Sequence, residues 1–423
     1  MLLIYRLLIN ILFPLIILII FFRTKFNKED KIRFKEKLFS GSFKLQKRSD
    51  RKLIWFHAAS IGELNSIIPL IKKINKKNKF DFLVTTVTLS SSRLISKELI
   101  DHKNIVHRFF PIDKPSLVYK FLNGWSPDLI LFVDSEIWPN FILEIKKRKI
   151  PLILLNGRIT KKTYLKWNLI SSLAEKIFQT FELCLPSSKE SKKYLEKFKV
   201  KNIKFLGNLK LTSENKLSSL EDFNKAILIN NKFWCAISTH KNEELFCLKT
   251  HLIVKKIHKN IITIIIPRHI DRAESIKSDC KKLGLKSQIL SEGDLINDNK
   301  EIIIINSYGV MSNYLSLCKS VFIGKSIIKK LEVVGGQNPI EAAKFGCKIY
   351  HGPFVYNFQE IYDLLNTYKI AEEIYNKEEL SEKLINDLNQ LNKIENRIVE
   401  VINDIGNKIL ADTYGEIDKV LNR

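Results

Sequence analysis

The chain has 423 residues, 45% of them hydrophobic, and its 70 Lys and Arg against 45 Asp and Glu give a formal net charge of +25. This length exceeds what one hydrophobic core organises, and the apolar content excludes an intrinsically disordered protein. The positive charge indicates anionic partners, whether lipid headgroups, phosphorylated substrates or nucleic acid.

Residues 1–22 predict a membrane anchor, because they are almost entirely apolar and would reach roughly 33 Å as a helix. A basic segment, 23–50, follows and should stay in the cytoplasm with the rest of the chain. A cleaved signal peptide is disfavoured, because no small-residue cleavage site follows and the charge lies on the wrong side. Arg6 and Pro14 leave open whether the anchor spans the bilayer or lies partly in its interface.

From Leu53 onward, short apolar runs alternate with longer amphipathic ones, which predicts βα units around parallel sheets. Predicted strands of the first sheet are Leu53–His57, Phe82–Thr86, Asn104–Phe110, Asp128–Val133, Pro151–Leu155, Leu183–Leu185 and Lys204–Leu206. Those of the second are Phe233–Ile237, Ile261–Ile266, Lys286–Leu290, Glu301–Ile305, Ser320–Ile323 and Lys348–Tyr350. We therefore expect an α/β protein with a domain at 51–211, a linker at 212–230 and a domain at 231–377. The tail 378–423 has helical period, with Leu380, Leu384, Leu388 and Leu391 on one face, and should pack across the domains.

Ligands of open α/β sheets bind beyond the carboxyl ends of the strands, and the residues there are unusually polar in this chain. The loops are His57–Glu63, Asp134–Asn140, Asn156–Arg158, Ser238–His240, Pro267–His269, Asn306–Met311 and Gly335–Glu341. Their division between two halves predicts a cleft between domains, with one face for a nucleotide and the other for an acceptor.

The stretch from Gly335 to Glu341 is the strongest single signal. Two glycines allow close backbone approach to a ligand, and a helix predicted over Ala342–Phe345 would offer free N–H groups to a phosphate. Glu341 suits the helix dipole and can also accept hydrogen bonds from the hydroxyls of a ribose. A simple loop before a helix is the alternative interpretation.

These loops resemble those of a known family, the bacterial 3-deoxy-D-manno-octulosonic acid (Kdo) transferases, which are membrane-anchored glycosyltransferases of family 30. The resemblance runs in the same order from the anchor to at least Gly352 and Pro353. It rests on His57-Ala-Ala-Ser-Ile-Gly-Glu63, Glu136-Ile-Trp-Pro-Asn140, Gly207-Asn-Leu-Lys210, Ser238-Thr-His240 with Glu243-Glu244, Pro267-Arg-His269 with Arg272, and Gly335-Gly-Gln-Asn-Pro-Ile-Glu341. It implies the GT-B fold, in which two Rossmann-like domains face a cleft, and transfer of Kdo from CMP-Kdo to a lipid A precursor.

The resemblance implies that Glu63 is the catalytic base and that Asp134 and Lys210 stabilise the transition state. A carboxylate at a strand end, behind a glycine that opens the turn, can take a proton from a sugar hydroxyl. A glutamate that merely caps its helix is the alternative for Glu63. A structural ion pair is the alternative for Asp134 and Lys210, and Asp134 replaces the glutamate that is usual in the family.

For the donor, the resemblance implies contacts with CMP from three loops, with Glu341 on the ribose. The residues are Pro267, Arg268 and His269, then Gly309, Val310 and Met311, then Gly335, Gly336, Gln337 and Asn338. Arg268 can fork onto a phosphate or a carboxylate, and Ser238 with Thr239 would bind the phosphate or cap a helix. Gln337 replaces the usual histidine, and Lys325 stands where the family has a glycine.

No cofactor or metal is expected. A CMP-sugar carries one phosphate and needs no diphosphate-bound Mg²⁺, and His57, His240 and His269 are too dispersed for a zinc site. The six scattered cysteines predict reduced core residues of a cytosolic body. The expected reaction is a single displacement with inversion.

The expected partners are CMP-Kdo, a lipid A precursor and lipids of the cell inner membrane, on whose cytoplasmic side the catalytic body would lie. The basic flank, with Arg158, Lys161 and Lys162, would hold the membrane surface and the phosphates of the acceptor. A GT-B transferase that uses a UDP-sugar and a lipid-linked acceptor is the alternative enzyme. A membrane-tethered nucleic-acid-binding protein is disfavoured, because the aromatics lie within apolar runs and no nucleic-acid motif occurs.

Overall fold

The computed structural model describes residues 1–39, 51–99, 101–213, 222–332, 334–389 and 396–422. Their contacts divide the chain into two compact units. Unit 1 comprises Met1–Glu214 and Ile405–Arg423, and unit 2 comprises Asn215–Asp404. All six cysteines are buried and form no disulfide, as expected for core residues.

The described part of unit 1 forms a six-stranded parallel sheet in the order β3-β2-β1-β4-β5-β6. Its strands are β1 (Lys52–His57), β2 (Phe80–Thr86), β3 (Ile105–Phe109), β4 (Leu129–Val133), β5 (Leu152–Gly157) and β6 (Leu183–Pro186). Its helices are α1 (Leu2–Lys25), α2 (Ile61–Asn75), α3 (Leu89–Glu98), α4 (Pro115–Trp125), α5 (Pro139–Lys147), α6 (Lys161–Asn168), α7 (Ser171–Phe178) and α8 (Lys189–Lys197). Short 3-10 turns lie at Arg33–Lys37 and Leu209–Thr212.

The core of unit 1 is aromatic. Trp55 of β1 is fully buried, and its ring centroid lies 5.0 Å from that of Phe121, 5.5 Å from that of Phe132 and 5.6 Å from that of Phe141. Such tilted and edge-to-face pairs add to the free energy gained by burying apolar area. Because β1 lies inside the sheet, this packing fixes its position, and Glu63 follows shortly after its end.

The predicted strand Lys204–Leu206 is wrong. Ile203 forms only an isolated parallel bridge with Cys184 of β6, and the chain then leaves the sheet. Gly207 has φ +109°, and a Cβ atom there would lie 2.7 Å from the side chain of Ile409. A conformation open mainly to glycine therefore turns the chain away before a strand can extend.

The described part of unit 2 forms a seven-stranded parallel sheet in the order β13-β12-β11-β7-β8-β10-β9. Its strands are β7 (Phe233–Thr239), β8 (Ile262–Pro267), β9 (Ser287–Leu290), β10 (Ile302–Ile305), β11 (Ser320–Ile323), β12 (Lys348–His351) and β13 (Ala371–Glu373). Its helices are α9 (Asp222–Asn230), α10 (Glu243–Lys255), α11 (Ala273–Lys282), α12 (Met311–Leu315), α13 (Ile340–Lys344), α14 (Gln359–Thr367) and α15 (Lys377–Asn389). Short 3-10 turns lie at Ile270–Arg272, Lys329–Leu331 and Tyr356–Phe358.

Sequence reasoning missed β13. The strand reads Ala-Glu-Glu and has no apolar periodicity, yet Ala371 pairs with Ile349 of β12 in parallel register. Backbone pairing at a sheet edge therefore creates a strand that side-chain pattern does not reveal.

The predicted linker at 212–230 is helical in part. Residues 214–221 lie outside the described part, whereas Asp222–Asn230 is α9 of unit 2. The Asn224 amide donates to the Asp294 carbonyl oxygen at 2.8 Å and accepts from the Ile296 N–H at 2.7 Å, which fixes α9 to that unit.

The C-terminal tail is assigned to both units. In α15, Leu380 and Leu384 enter the core of unit 2 and Leu388 packs against it, while Leu391 lies outside the described residues. A final helix, α16 (Asn396–Leu421), extends from the end of unit 2 into the part assigned to unit 1.

Two cations of the basic segment 23–50 face unit 1, although the sequence predicted that this flank would hold a membrane surface. The Arg33 guanidinium binds Glu36 and donates to the His107 carbonyl oxygen at 3.0 Å. The Lys37 ammonium is buried and donates to Glu29 at 2.5 Å and to the Val87 carbonyl oxygen at 2.8 Å. The exposed cations among residues 23–39 are Arg23, Lys25, Lys28, Lys31 and Lys35, and residues 40–50 lie outside the described part.

Candidate active site

Glu63 lies at the start of α2, directly after the loop that follows β1. Its Oε2 accepts a hydrogen bond from the Ala59 N–H at 2.7 Å, and its Oε1 accepts one from the Ser60 hydroxyl at 2.8 Å. Ser60 is the N-cap of the helix and accepts in turn from the Glu63 N–H at 3.4 Å. These bonds are a variant of the capping box, in which the glutamate accepts from the N–H one residue before the N-cap, and they hold the carboxylate in one place.

The surroundings of Glu63 favour its protonated form more than water does. Burial and the negative charge of Asp134 raise the pKa of Glu63 to about 7, with a smaller effect of Glu136, while the bonds from Ser60 and Ala59 act in the opposite direction. A carboxylate with a pKa close to neutrality suits general base catalysis, because it is ionised yet basic enough to accept a proton.

Asp134 follows β4 and has a left-handed backbone with φ +60°. Its N–H donates to the Leu155 carbonyl oxygen at 3.0 Å, and its Oδ1 accepts from the Ser135 hydroxyl at 2.8 Å. The Lys210 Nζ lies 3.8 Å from the Asp134 Oδ2, at the limit of an ion pair. The structure thus brings Asp134 and Lys210 together, and Asp134 acts on the charge state of Glu63.

Glu136 and His57 form a pair that the sequence motifs contain but to which they assigned no role. The Glu136 Oε2 lies 3.1 Å from the His57 Nε2 and accepts from the Trp138 indole N–H at 2.8 Å. The other ring nitrogen of His57 lies 3.0 Å from the Thr85 hydroxyl. Burial opposes ionisation of Glu136, but the bonds from His57 and Trp138 outweigh it and hold its pKa below the usual value. Glu136 therefore favours its anionic form, and its charge adds to the rise in the pKa of Glu63.

In unit 2, Ser238 and Thr239 end β7 instead of capping a helix. Ser238 has φ +53°, and α10 begins only at Glu243, with Asn242 as its N-cap. The alternative prediction that these two residues cap a helix is therefore wrong, because three further residues separate Thr239 from the helix.

Glu243 joins two loops of unit 2, a role that the sequence motifs did not reveal. Its two carboxylate oxygens accept from four backbone N–H groups, those of His240 at 2.9 Å, Lys325 at 2.5 Å, Ser326 at 2.8 Å and Ile327 at 3.2 Å. Burial raises its pKa, and the four N–H bonds oppose this effect. Glu243 thus ties the loop after β11 to the loop after β7.

The loop after β8 places Arg268 and His269 at the surface. The Arg268 N–H donates to the Thr239 carbonyl oxygen at 3.0 Å, and the His269 ring lies 5.7 Å from the His240 ring in an edge-to-face arrangement. Arg272, in contrast, is held by Glu244 through two bonds of 2.9 and 3.0 Å. An exposed guanidinium and two imidazoles therefore lie together beyond the carboxyl ends of β7 and β8.

The loop from Gly335 to Glu341 contacts the same cluster of side chains through His240. The Gln337 side-chain nitrogen lies 3.3 Å from the His240 Nε2, and its backbone carbonyl oxygen accepts from the Tyr362 hydroxyl at 3.0 Å. The Asn338 Oδ1 accepts from the Ile340 N–H at 3.2 Å, and the short helix α13 begins at Ile340, two residues before the predicted start. Burial raises the pKa of Glu341.

The two glycines of this loop face protein. A Cβ atom on Gly335 would lie 2.1 Å from the Phe354 carbonyl oxygen, and one on Gly336 would lie 2.9 Å from the Val355 carbonyl oxygen. Close packing against this neighbouring segment accounts for glycine at both positions without a ligand.

The third predicted donor segment, Gly309 to Met311, follows β10. Gly309 has φ +83°, and Val310 precedes α12. Gly309 and Val310 line a cavity of about 320 Å³ that also has Leu290, Ser291 and Tyr308 in its wall. Among the residues that the structure describes, no cluster of three or more His, Cys, Asp or Glu side chains is arranged to hold a metal ion.

Comparison with known proteins gives a consistent result. The family described as 3-Deoxy-D-manno-octulosonic-acid transferase (kdotransferase) matches residues 33–213. A 3-deoxy-D-manno-octulosonic acid transferase of Rickettsia bellii is 33% identical over 383 residues, which cover 89% of this chain and 88% of that protein. The protein of the same name from Haemophilus influenzae is 25% identical over 375 residues, with 87% and 86% coverage.

The crystal structure of a glycosyltransferase from Rickettsia africae ESF-5 has a TM-score of 0.57 and 12% identity, and the match covers 88% of this chain and 99% of that chain. At this identity the likeness concerns the fold alone, and it agrees with two parallel-sheet α/β units of GT-B type. The predicted fold class and the resemblance seen in the motifs are both confirmed. The chain belongs to the 3-deoxy-D-manno-octulosonic acid (Kdo) transferase family of glycosyltransferases.

Proposed function

We propose that the chain transfers Kdo from CMP-Kdo to lipid IV(A), a lipid A precursor, in lipopolysaccharide biosynthesis. The observation that carries the proposal is the Glu63 carboxylate, which two hydrogen bonds hold at the carboxyl end of β1 and whose pKa is raised to about 7. Few carboxylates combine a fixed position with this basicity, and perturbed groups of this kind concentrate at catalytic sites.

In the proposed reaction, Glu63 accepts the proton of an acceptor hydroxyl while the oxygen forms a bond to the anomeric carbon of Kdo. The bond from that carbon to the phosphate oxygen breaks, and CMP leaves with the electron pair. A single displacement of this kind inverts the anomeric centre. Lys210 would stabilise the charge on the leaving phosphate or the Kdo carboxylate, and Asp134 would hold the lysine in place.

The donor is assigned to the loops of unit 2. Arg268 is exposed at the end of β8, where its guanidinium can form two parallel hydrogen bonds to a phosphate or a carboxylate. The assigned contacts are those of the family's motif, at Ser238, Thr239, Pro267–His269, Gly309–Met311, Gly335–Asn338 and Glu341. The protein would act at the cytoplasmic face of the inner membrane, anchored by α1.

The test is a direct assay of the full-length chain with CMP-Kdo and a tetraacyl lipid A precursor, with the product mass as readout. We expect a mass increase by whole Kdo residues, and their number follows from the same spectrum. In thermal melts, CMP should stabilise the chain by about 2.7 kcal/mol at a concentration one hundred times its Kd. Protection by UDP without protection by CMP, and no Kdo product, would favour a GT-B transferase that uses a UDP-sugar and a lipid-linked acceptor.

The charge of Asp134 should be visible in the pH dependence of the reaction. Asp134 raises the pKa of Glu63, so Asp134→Asn should lower that pKa and move the acid limb of the kcat profile below its parental position near pH 7. The midpoint of the acid limb is informative even if the maximal kcat of the variant is lower, because this midpoint reports the ionisation of the base in the enzyme–substrate complex.

Ser60→Ala is the matched control for this shift. The Ser60 hydroxyl bonds to the ionised Glu63 and lowers its pKa, so its removal should move the same limb to higher pH. Loss of the N-cap should also cost about 1 kcal/mol of stability. Two variants that shift the limb in the same direction would contradict the assignment of Glu63 as the titrating group.

A further inference from the structure

The N-terminal helix packs lengthwise against unit 1 with one face. The less exposed positions recur every three or four residues from the first turn to the last, which is the period of one helical face. They are Tyr5, Arg6, Ile9, Phe13, Ile16, Ile17, Ile20 and Thr24. Phe13, halfway along, packs against the core of unit 1, and the Lys114 ammonium lies 4.0 Å from the centre of its ring.

Polar contacts join the first turns of α1 to the body. The Tyr5 hydroxyl donates to the Asp113 Oδ2 at 2.8 Å, and the Arg6 Nε donates to the Asn140 Oδ1 at 2.8 Å. Asp113 is buried and also accepts from the N–H groups of Asn140 and Phe141, at the start of α5. Two of the polar side chains that interrupt the apolar run therefore bind protein.

The last turn of α1 is joined to the same unit. The Arg23 Nε donates to Glu29 at 2.9 Å, and Glu29 accepts from Lys37, which in turn donates to the Val87 carbonyl oxygen. A helix of 24 residues is about 36 Å long, and an upright span would carry one end across roughly 30 Å of hydrocarbon, away from the body. Contacts with one unit at both ends are incompatible with that arrangement.

The opposite face of α1 is exposed and apolar apart from Asn10. It presents Leu3, Ile4, Leu7, Leu8, Ile11, Leu12, Leu15, Leu18, Ile19, Phe21 and Phe22. Exposed Phe26 and Ile32 continue it among the exposed lysines Lys25, Lys28 and Lys31. An apolar stripe bordered by cations matches the acyl chains and anionic headgroups of a single leaflet.

The contacts of α1 and the segment after it lie at the carboxyl end of the unit 1 sheet, where Glu63 also lies. Tyr5, Arg6 and Lys37 bind Asp113, Asn140 and Val87, respectively. These three partners follow β3, β4 and β2, and β1 lies between β2 and β4. At the same edge, α6 after β5 exposes Leu165 and, just beyond its end, Leu169 is exposed, with Lys161 and Lys162 beside them. The region after β5 is thus a second exposed element that is both apolar and basic.

We propose that α1 lies in the plane of one leaflet, held along its length by unit 1, and does not cross the membrane. The carboxyl ends of the unit 1 strands then face the headgroup layer. An amphiphilic acceptor can reach Glu63 while its acyl chains stay in the leaflet. The orientation of the helix does not depend on which sugar is transferred, so the proposal can fail while the proposed function stands.

Depth measurements on the full-length chain test this orientation. Single cysteines at Ile4→Cys, Ile11→Cys and Leu18→Cys lie seven residues apart on the exposed face, and the six native cysteines are buried. Each variant is labelled with bimane and inserted into vesicles of phosphatidylethanolamine and phosphatidylglycerol that contain lipids brominated at defined acyl positions. We expect one common depth for all three labels. A label at Ile11→Cys near the bilayer centre, with the other two near opposite surfaces, would overturn the proposal.

A second set of variants tests the polar contacts. Tyr5→Phe combined with Arg6→Leu removes both contacts, and Asn10→Leu is the matched control, because Asn10 is an exposed polar residue of the same helix. We expect the label at Ile4→Cys to change depth in the double variant and to keep its depth in Asn10→Leu. Unchanged depth in both would reject Tyr5 and Arg6 as the residues that fix the helix, provided thermal unfolding shows both variants folded.

Discussion

Glu63→Gln is expected to lower kcat for Kdo transfer by about 10²- to 10⁴-fold, the range of a general base. Glutamine keeps an oxygen that can accept from the Ala59 N–H and can stay bonded to Ser60, so the start of α2 should be preserved while the basic group is lost. Single-turnover rates with CMP-Kdo and a lipid A precursor measure the loss. Affinity for CMP, read from thermal melts, should stay within a few-fold of the parent.

The Ser60→Ala variant separates capping from catalysis in this experiment. It removes the cap but keeps the carboxylate, so we expect reduced stability with substantial turnover at pH 8. If Glu63→Gln retained turnover within a few-fold of the parent, another group would have to be the base.

The same glutamine variant should be more stable than the parent at alkaline pH. Below pH 4.5, the usual pKa of a glutamate, the carboxyl group is protonated in both the folded and the unfolded chain and burial costs little. As the pH rises towards 7, the unfolded chain ionises first, and the folded chain loses stability until its own pKa is passed. The advantage of glutamine over glutamate should therefore grow by about 2–3 kcal/mol between pH 5 and pH 8, as urea unfolding would measure.

Glu243→Ala should produce the largest loss of stability, about 3–5 kcal/mol, because a buried carboxylate is removed and four backbone N–H groups lose their acceptor. The loops after β7 and β11 would lose their connection, and the affinity for CMP should fall at least tenfold. Glu243→Gln retains one acceptor oxygen and should lie between the alanine variant and the parent.

Urea unfolding and CMP titration measure both effects, with Glu378→Ala as the control. Glu378 is an exposed glutamate of α15 in the same unit, so its removal should leave the urea midpoint close to that of the parent. An alanine variant at Glu243 that is as stable as this control would show that the four N–H groups find other partners, contrary to the assigned role.

Much of the fold could be predicted, because buried parallel strands leave a strong local pattern. The run Leu53–His57 predicted a strand, and its position placed Glu63 just beyond a strand end. β13 left no such pattern, since the pairing of Ala371 with Ile349 is made by backbone groups alone. Lys204–Leu206 has the composition of a strand, yet the glycine turn at Gly207 prevents it.

Site chemistry was predictable where it depends on nearby residues and unpredictable where it depends on distant ones. The Ser60 to Glu63 spacing is a local capping signal, and it is present in the structure. Three of the four N–H groups that bind Glu243 lie more than 80 residues further along the chain, at Lys325 to Ile327, so no spacing rule could reveal them. The inward direction of Lys37 likewise depends on Glu29 and Val87, which charge counting ignores.

The two units place a glutamate at matching points, each after the first strand of its sheet and each accepting from an N–H of the loop before it. In unit 1, Glu63 has two donors and its pKa is raised to about 7. In unit 2, Glu243 has four donors and joins the loops after β7 and β11. The same βα turn thus holds a glutamate in both units, with one backbone N–H and one hydroxyl as donors to Glu63 and four backbone N–H groups as donors to Glu243.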